Sequence, residues 1–133
     1  MLDIIVLYFL IAIIFLAIDL VWLGFIGKNF YNAQIGFLLK ENPNWPAAAL
    51  FYGLYVIGVV VFVAAPALSA DSAFYALGYG ALFGLITYAT YDMTNLATLK
   101  DWPLKITVVD LIWGSTLVGF SSFLAVLIHQ LIF

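Results

Sequence analysis

The sequence predicts an all-α integral membrane protein, a four-helix bundle. Three observations predict it. Of 133 residues, 67% are hydrophobic and 8% are charged, against about 25% charged in an ordinary soluble domain. The mean hydropathy is +1.19. Four apolar runs are each long enough to cross a hydrocarbon core, which takes about 20 helical residues. They are continuous rather than alternating, which favours helices over a membrane barrel.

The first span is read as residues 4–27. The preceding Met1-Leu2-Asp3 lacks the basic segment that opens a signal peptide, so the expectation is a retained helix. The second span, 47–65, follows Asn42-Pro43-Asn44-Trp45-Pro46 and is expected to close at Pro66. The third covers residues 73–93. The fourth, 104–133, is long enough to tilt or project. Between the first two spans, Asn29, Asn32, Gly36 and Lys40 fall on one helical stripe, with Phe30, Tyr31, Ile35, Phe37, Leu38 and Leu39 over the rest. That pattern suits an interfacial amphipathic helix between helices 1 and 2; an irregular loop is the alternative. Residues 1–133 read as a single transmembrane domain.

Composition excludes several chemistries. The chain has no cysteine, which removes disulfides, Fe–S clusters and thiol catalysis. No His/Cys cluster suggests zinc, and no cofactor is expected; three carboxylates and an amide could hold Mg²⁺, although no recognised motif supports it. A net charge of −3 without a basic stretch argues against nucleic acid. The four lysines, Lys28, Lys40, Lys100 and Lys105, all fall after the first span or between the third and fourth. The positive-inside rule makes that face cytoplasmic. The expectation is a bacterial inner (cytoplasmic) membrane protein with both termini on the non-cytoplasmic side.

Two short stretches nearly repeat each other: Asp19-Leu20-Val21-Trp22 and Asp110-Leu111-Ile112-Trp113. An Asp at the centre of a membrane helix costs roughly 2.5–3.5 kcal/mol on insertion scales, so such residues are functional candidates by default. At 1.5 Å per residue, both carboxylates lie roughly 9–12 Å in from the lysine-bearing end. The third span arrives there with Thr87-Tyr88-Ala89-Thr90-Tyr91-Asp92-Met93-Thr94-Asn95. Tyr88, Asp92 and Asn95 share one face, and Tyr91 and Asn95 are four apart. A buried carboxylate needs a partner. No lysine or arginine lies deep in any span, so the expected donors are Tyr88, Tyr91, Thr94, Asn95, Thr107 and the indoles of Trp22 and Trp113. Asp19 and Asp110 are expected to come close together, an arrangement suited to proton handling.

Plainer readings stand beside these. The carboxylates could serve only to fix helix packing. Trp22 and Trp113 could be interfacial aromatics, as Trp45 and Trp102 are expected to be. His129 reads as an interfacial residue and not a ligand. Ala76, Gly80 and Gly84 of the third span, and Thr107, Asp110, Gly114, Ser121, Ser122 and Ala125 of the fourth, make small-residue faces that suit close packing within the bundle or a homodimer.

Taken together, the spaced set Asp19-x-x-Trp22-Leu23, Tyr91-Asp92-x-Thr94-Asn95-Leu96-Ala97-Thr98-Leu99, Trp102 and Asp110-x-x-Trp113-Gly114 resembles the bacterial family of predicted four-span inner-membrane proteins known as a domain of unknown function. The resemblance covers essentially the whole chain. It implies a membrane location and four helices, and brings no substrate or activity.

The reading that uses most of these residues is a buried acidic site near the cytoplasmic side that binds or transports a small molecule or lipid. Asp19 and Asp110 would bind or shuttle protons, with Asp92 and Asn95 gating or coordinating. The alternative is an intramembrane enzyme acting on a lipid or isoprenoid by carboxylate general acid/base chemistry, assisted by Tyr88 or Tyr91. A third reading is a structural or assembly subunit. A transporter predicts a polar path continuing to the far face. An enzyme predicts a blind pocket, and a structural subunit predicts no cavity near Asp19. Membrane lipids are the expected surroundings in every case.

Overall fold

The computed structural model describes residues 1–133, which form helices and no strand. Four long helices are α1 (Leu2–Ile26), α3 (Trp45–Ser69), α4 (Ala73–Thr98) and α5 (Leu104–Ile132). A short helix, α2 (Lys28–Ile35), follows α1 and runs into a 3₁₀ turn at Gly36–Leu38. The protein is a membrane protein with four candidate spans.

Helix α1 is apolar all round, yet only Leu7, Ile11, Phe15 and Asp19 are buried along it. Their four-residue spacing makes one stripe that packs inward, and Asp19 is the last member of that stripe. Phe9, Ile13 and Leu20 stay exposed on the outer face, as suits a helix in lipid. The last turn, Trp22–Ile26, is a π-helix. Gly27 then opens α2. A Cβ there would lie 3.0 Å from the Tyr31 ring and 3.1 Å from Trp22, so a side chain would push the two aromatics apart.

The α2 segment is helical, with Asn29, Asn32 and Lys40 exposed and Ile35 buried. Asn44 caps α3 by accepting from the Ala47 amide at 3.1 Å. Pro66 does not close the second span, contrary to the sequence expectation. A π-helical turn at Val60–Ala64 precedes it, and the chain continues as α-helix through Ala65–Ser69. The regular ladder is already interrupted at the π turn, so proline's missing N–H falls where it does least damage. Helix α4 also runs past the expected end at Met93, to Thr98. In its polar last turns Thr94 and Thr98 satisfy their hydroxyls within the helix, donating to the Tyr91 and Thr94 carbonyls at 3.0 and 2.7 Å.

Helices α4 and α5 form the tightest pair. A Cβ at Gly80 would lie 3.0 Å from Gly119 Cα, and one at Gly84 would overlap the Gly114 carbonyl. Small residues let the two backbones meet, so both small-residue faces are used inside the chain. Leu7, Ile11, Phe15, Val59, Val63 and Leu117 belong to the main apolar core. At the end away from the lysines, His129 Nε2 pairs with Asp3 at 2.8 Å, and Gln130 donates to Asp71 at 3.1 Å. His129 is buried there, tying the start of α1 to the end of α5.

Candidate functional site

The two Asp-x-x-Trp motifs lie on antiparallel helices and serve each other. Asp19 accepts from Trp113 Nε1 at 3.2 Å and from the Tyr52 hydroxyl at 2.9 Å. Asp110 accepts from the Tyr31 hydroxyl. That hydroxyl oxygen in turn accepts from Trp22 Nε1 at 3.1 Å. Each carboxylate is thus held by the indole of the opposite motif, directly at Asp19 and through Tyr31 at Asp110. The two indoles stack with centroids 4.4 Å apart and planes 14° apart. The repeat in sequence is a reciprocal clasp in space. The hydrogen-bond partners of Asp19 and Asp110 are phenols and indoles rather than each other.

Tyr31 lies on α2, outside the spans. Burial, and then its hydrogen bond to Asp110, hold its hydroxyl protonated above the ordinary phenol range. It is the one polar tie between α2 and the buried carboxylates.

Asp92 is fully buried and neither carboxylate oxygen has a hydrogen-bond partner. Its neighbour is Asp110, which interacts with it directly. A carboxylate facing a carboxylate has no donor unless one of them carries a proton. Asn95 lies one turn further on, half-buried beside Tyr91.

Tyr88 stands between these carboxylates and the outside. Its ring lies against Gly114, where any Cβ would overlap it. Its hydroxyl has no hydrogen bond within the protein and lies within electrostatic reach of Asp19, Tyr52 and Tyr55. Tyr55 and Thr87 hydroxyls meet at 2.6 Å. Thr87 already donates to the Phe83 carbonyl at 2.8 Å, so the proton between the two hydroxyls belongs to Tyr55.

These groups line a cleft of about 600 Å³ between α3 and α4. Its walls include Phe51, Tyr52 and Tyr55 from α3 and Thr87, Tyr88 and Tyr91 from α4. Phe51 and Tyr91 at the rim are exposed, so the mouth opens sideways, where lipid would lie, in the lysine-bearing half. A second groove of about 480 Å³ lies against the indole pair, lined by apolar side chains including Ile18, Val21 and Ile26. The side chains assemble no group of three His, Cys, Asp or Glu donors around a common point.

Of the residues singled out from sequence, Asp19, Asp110, Trp22 and Trp113 form the clasp, with Asp92 against Asp110 and Tyr88 beside it. Tyr91 and Thr94 reach only the cleft rim. Thr107 turns elsewhere: it accepts from Trp102 Nε1 at 3.1 Å and braces the start of α5. Trp102 corrects the expectation of an interfacial anchor, being 6% exposed and packed with Ile35 and Ile106. Sequence reasoning did not place Tyr31, Tyr52 or Tyr55 in the site. The one signal for the last two was a pair of phenols three residues apart in a stretch with no other polar side chain.

The family model described as a predicted membrane protein, DUF2177, matches residues 4–127. The chain belongs to that family. In this DUF2177 protein the matched region contains the clasp, Asp92 and the whole cleft lining. No curated protein and no solved structure matches the chain.

Proposed function

We propose that this DUF2177 protein binds an amphipathic small molecule or lipid in the cleft between α3 and α4. The observation that carries this reading is the cleft itself: about 600 Å³, open toward lipid, with Tyr52 in its wall hydrogen-bonded to Asp19. A largely apolar cleft with a few convergent polar groups is the usual form of a small-molecule site.

The readings expected from sequence fare differently. A through-path in one copy finds little support. Beyond the clasp the core is Phe15, Ile11 and Leu7 packed among valines and alanines, with Ser121 and Ser122 buried as isolated hydroxyls. The Ser115 and Thr116 hydroxyls are committed to the Ala81 and Ile112 carbonyls at 2.9 and 2.8 Å. The enzyme reading has no carboxylate in contact with a guest, because the cleft lining includes none and Asp19 stands behind Tyr52. A purely packing role leaves the cleft unexplained. The Asp92–Asp110 pair has no donor from the rest of the protein at the Asp92 oxygens. The cleft is complete within one copy, so the reading needs no second copy.

In orientation, we place the protein in a bacterial inner membrane with the lysine-bearing end in the cytoplasm, so the cleft serves the cytoplasmic leaflet. Reporter fusions at either terminus should then read as non-cytoplasmic.

Extraction into lipid nanodiscs followed by mass spectrometry of retained molecules tests the function. The wild type is expected to retain a specific amphiphile, and Thr90→Trp, which fills the cleft from an exposed position, is expected to lose it. Identical retained molecules in both proteins would overturn the reading.

A further inference from the structure

The cleft's polar lining has a consistent sign. Thr87, Thr90 and Thr94 donate their protons to the Phe83, Ile86 and Tyr91 carbonyls at 2.8, 2.7 and 3.0 Å. A hydroxyl carries one proton and two lone pairs, so these three present only acceptors to a guest. Tyr55 has given its proton to Thr87 and Tyr52 to Asp19. Tyr88 is the exception, free to rotate its proton away and offer lone pairs. Five aromatic rings, Phe51, Tyr52, Tyr55, Tyr88 and Tyr91, line the same space. No lysine, arginine or histidine lines it. The nearest acidic group is Asp19, which stands behind Tyr52 and lies within electrostatic reach of Tyr88, as does Asp110.

Resting on the cleft-binding reading, we propose that the guest is a lipophilic organic cation whose ammonium head sits among these rings, with its tail leaving through the mouth between α3 and α4. Aromatic faces attract cations, more strongly when desolvated. Acceptor oxygens turn their lone pairs toward a cationic head, whether it carries N–H or N–CH3 groups, and a carboxylate in low dielectric adds long-range attraction. A phosphate head would bring acceptors to acceptors and a like charge toward Asp19. An alcohol would satisfy Tyr88 and draw nothing from the carboxylate.

A photoreactive dodecyl probe with a trimethylammonium head tests this in nanodiscs containing the full chain. Labelling is expected on the α3 and α4 peptides that carry Phe51–Tyr55 and Thr87–Thr94. Dodecyltrimethylammonium should compete well, dodecanol weakly, and dodecyl phosphate least. Tyr91→Leu, at an exposed rim position, removes one ring without touching the clasp. It should weaken competition by the cation about threefold to tenfold, in line with one cation–π contact, and leave dodecanol unchanged. Asp19→Asn should weaken the cation selectively, with its thermal unfolding followed in parallel. Equal competition by phosphate, or equal loss for cation and alcohol in Tyr91→Leu, overturns the ligand class while the cleft reading stands. Absence of specific labelling on α3 and α4 by any competable probe, with Thr90→Trp retaining the wild-type molecules, overturns both.

Discussion

The indole of Trp22 lies flat on that of Trp113, 4.4 Å between centroids, and each serves the carboxylate of the other's helix. This exchange explains why two short motifs on antiparallel helices look alike: the same residue pair is needed at each end of the clasp. Trp113→Phe keeps a ring for stacking and removes the donor to Asp19. A hydrogen bond to a charged group contributes about 1.5–3 kcal/mol. The variant is expected to lose about that much in detergent-based unfolding, and an unchanged midpoint would show that Tyr52 alone satisfies Asp19.

Asp92 is the converse case, a carboxyl without a donor. Asp92→Asn is nearly isosteric and places an amide N–H toward Asp110. Stability is expected to rise by about 1 kcal/mol, read as a higher melting temperature of the purified protein. A fall would mean that the carboxyl already has a satisfying partner, such as a bound proton.

Gly114 is where the Tyr88 ring meets the α5 backbone. Gly114→Ala forces ring and helix apart, and overpacking of this kind costs about 1–3 kcal/mol. Combining it with Tyr88→Leu should recover part of the loss. Strict additivity in the double-mutant cycle would refute the direct contact.

Tyr31 ties α2 to Asp110, so Tyr31→Phe should loosen the interfacial helix. Amide exchange over Lys28–Ile35 is expected to speed up roughly tenfold to a hundredfold, the equivalent of one charge-assisted hydrogen bond. The pH dependence has a definite sign. The folded protein holds the Tyr31 proton more tightly than the unfolded chain. The contribution is therefore fully present below the free phenol value of about 10 and fades as pH rises through the higher folded value. Protection of α2 should be flat across the neutral range.

Much of the fold was legible because hydrocarbon imposes a simple rule: an apolar run of spanning length must be a helix. The meeting of Asp19, Asp110, Asp92 and Tyr88 followed from counting residues inward from a common face. Rotation was not legible. Helix α1 is apolar on every side, so nothing in its composition marks Leu7, Ile11 and Phe15 as the buried stripe that ends in Asp19. The π turns at Trp22–Ile26 and Val60–Ala64 shift the facing of everything beyond them, and no residue type announces such a turn. Tyr31, Tyr52 and Tyr55 were hidden among 8 tyrosines, a residue equally at home in packing, at an interface or on a carboxylate.

The sideways mouth of the cleft changes what its affinity means. A molecule that partitions into the bilayer meets this mouth by diffusion in two dimensions, and its abundance there is a mole fraction of the leaflet. Partitioning concentrates it before the protein contributes anything, so a shallow aromatic seat is enough for high occupancy. The same coupling makes occupancy depend on the surrounding solvent. Micelles would dilute the proposed guest as they extract the protein, so an assay in detergent would report the competition for its tail as much as the grip on its head.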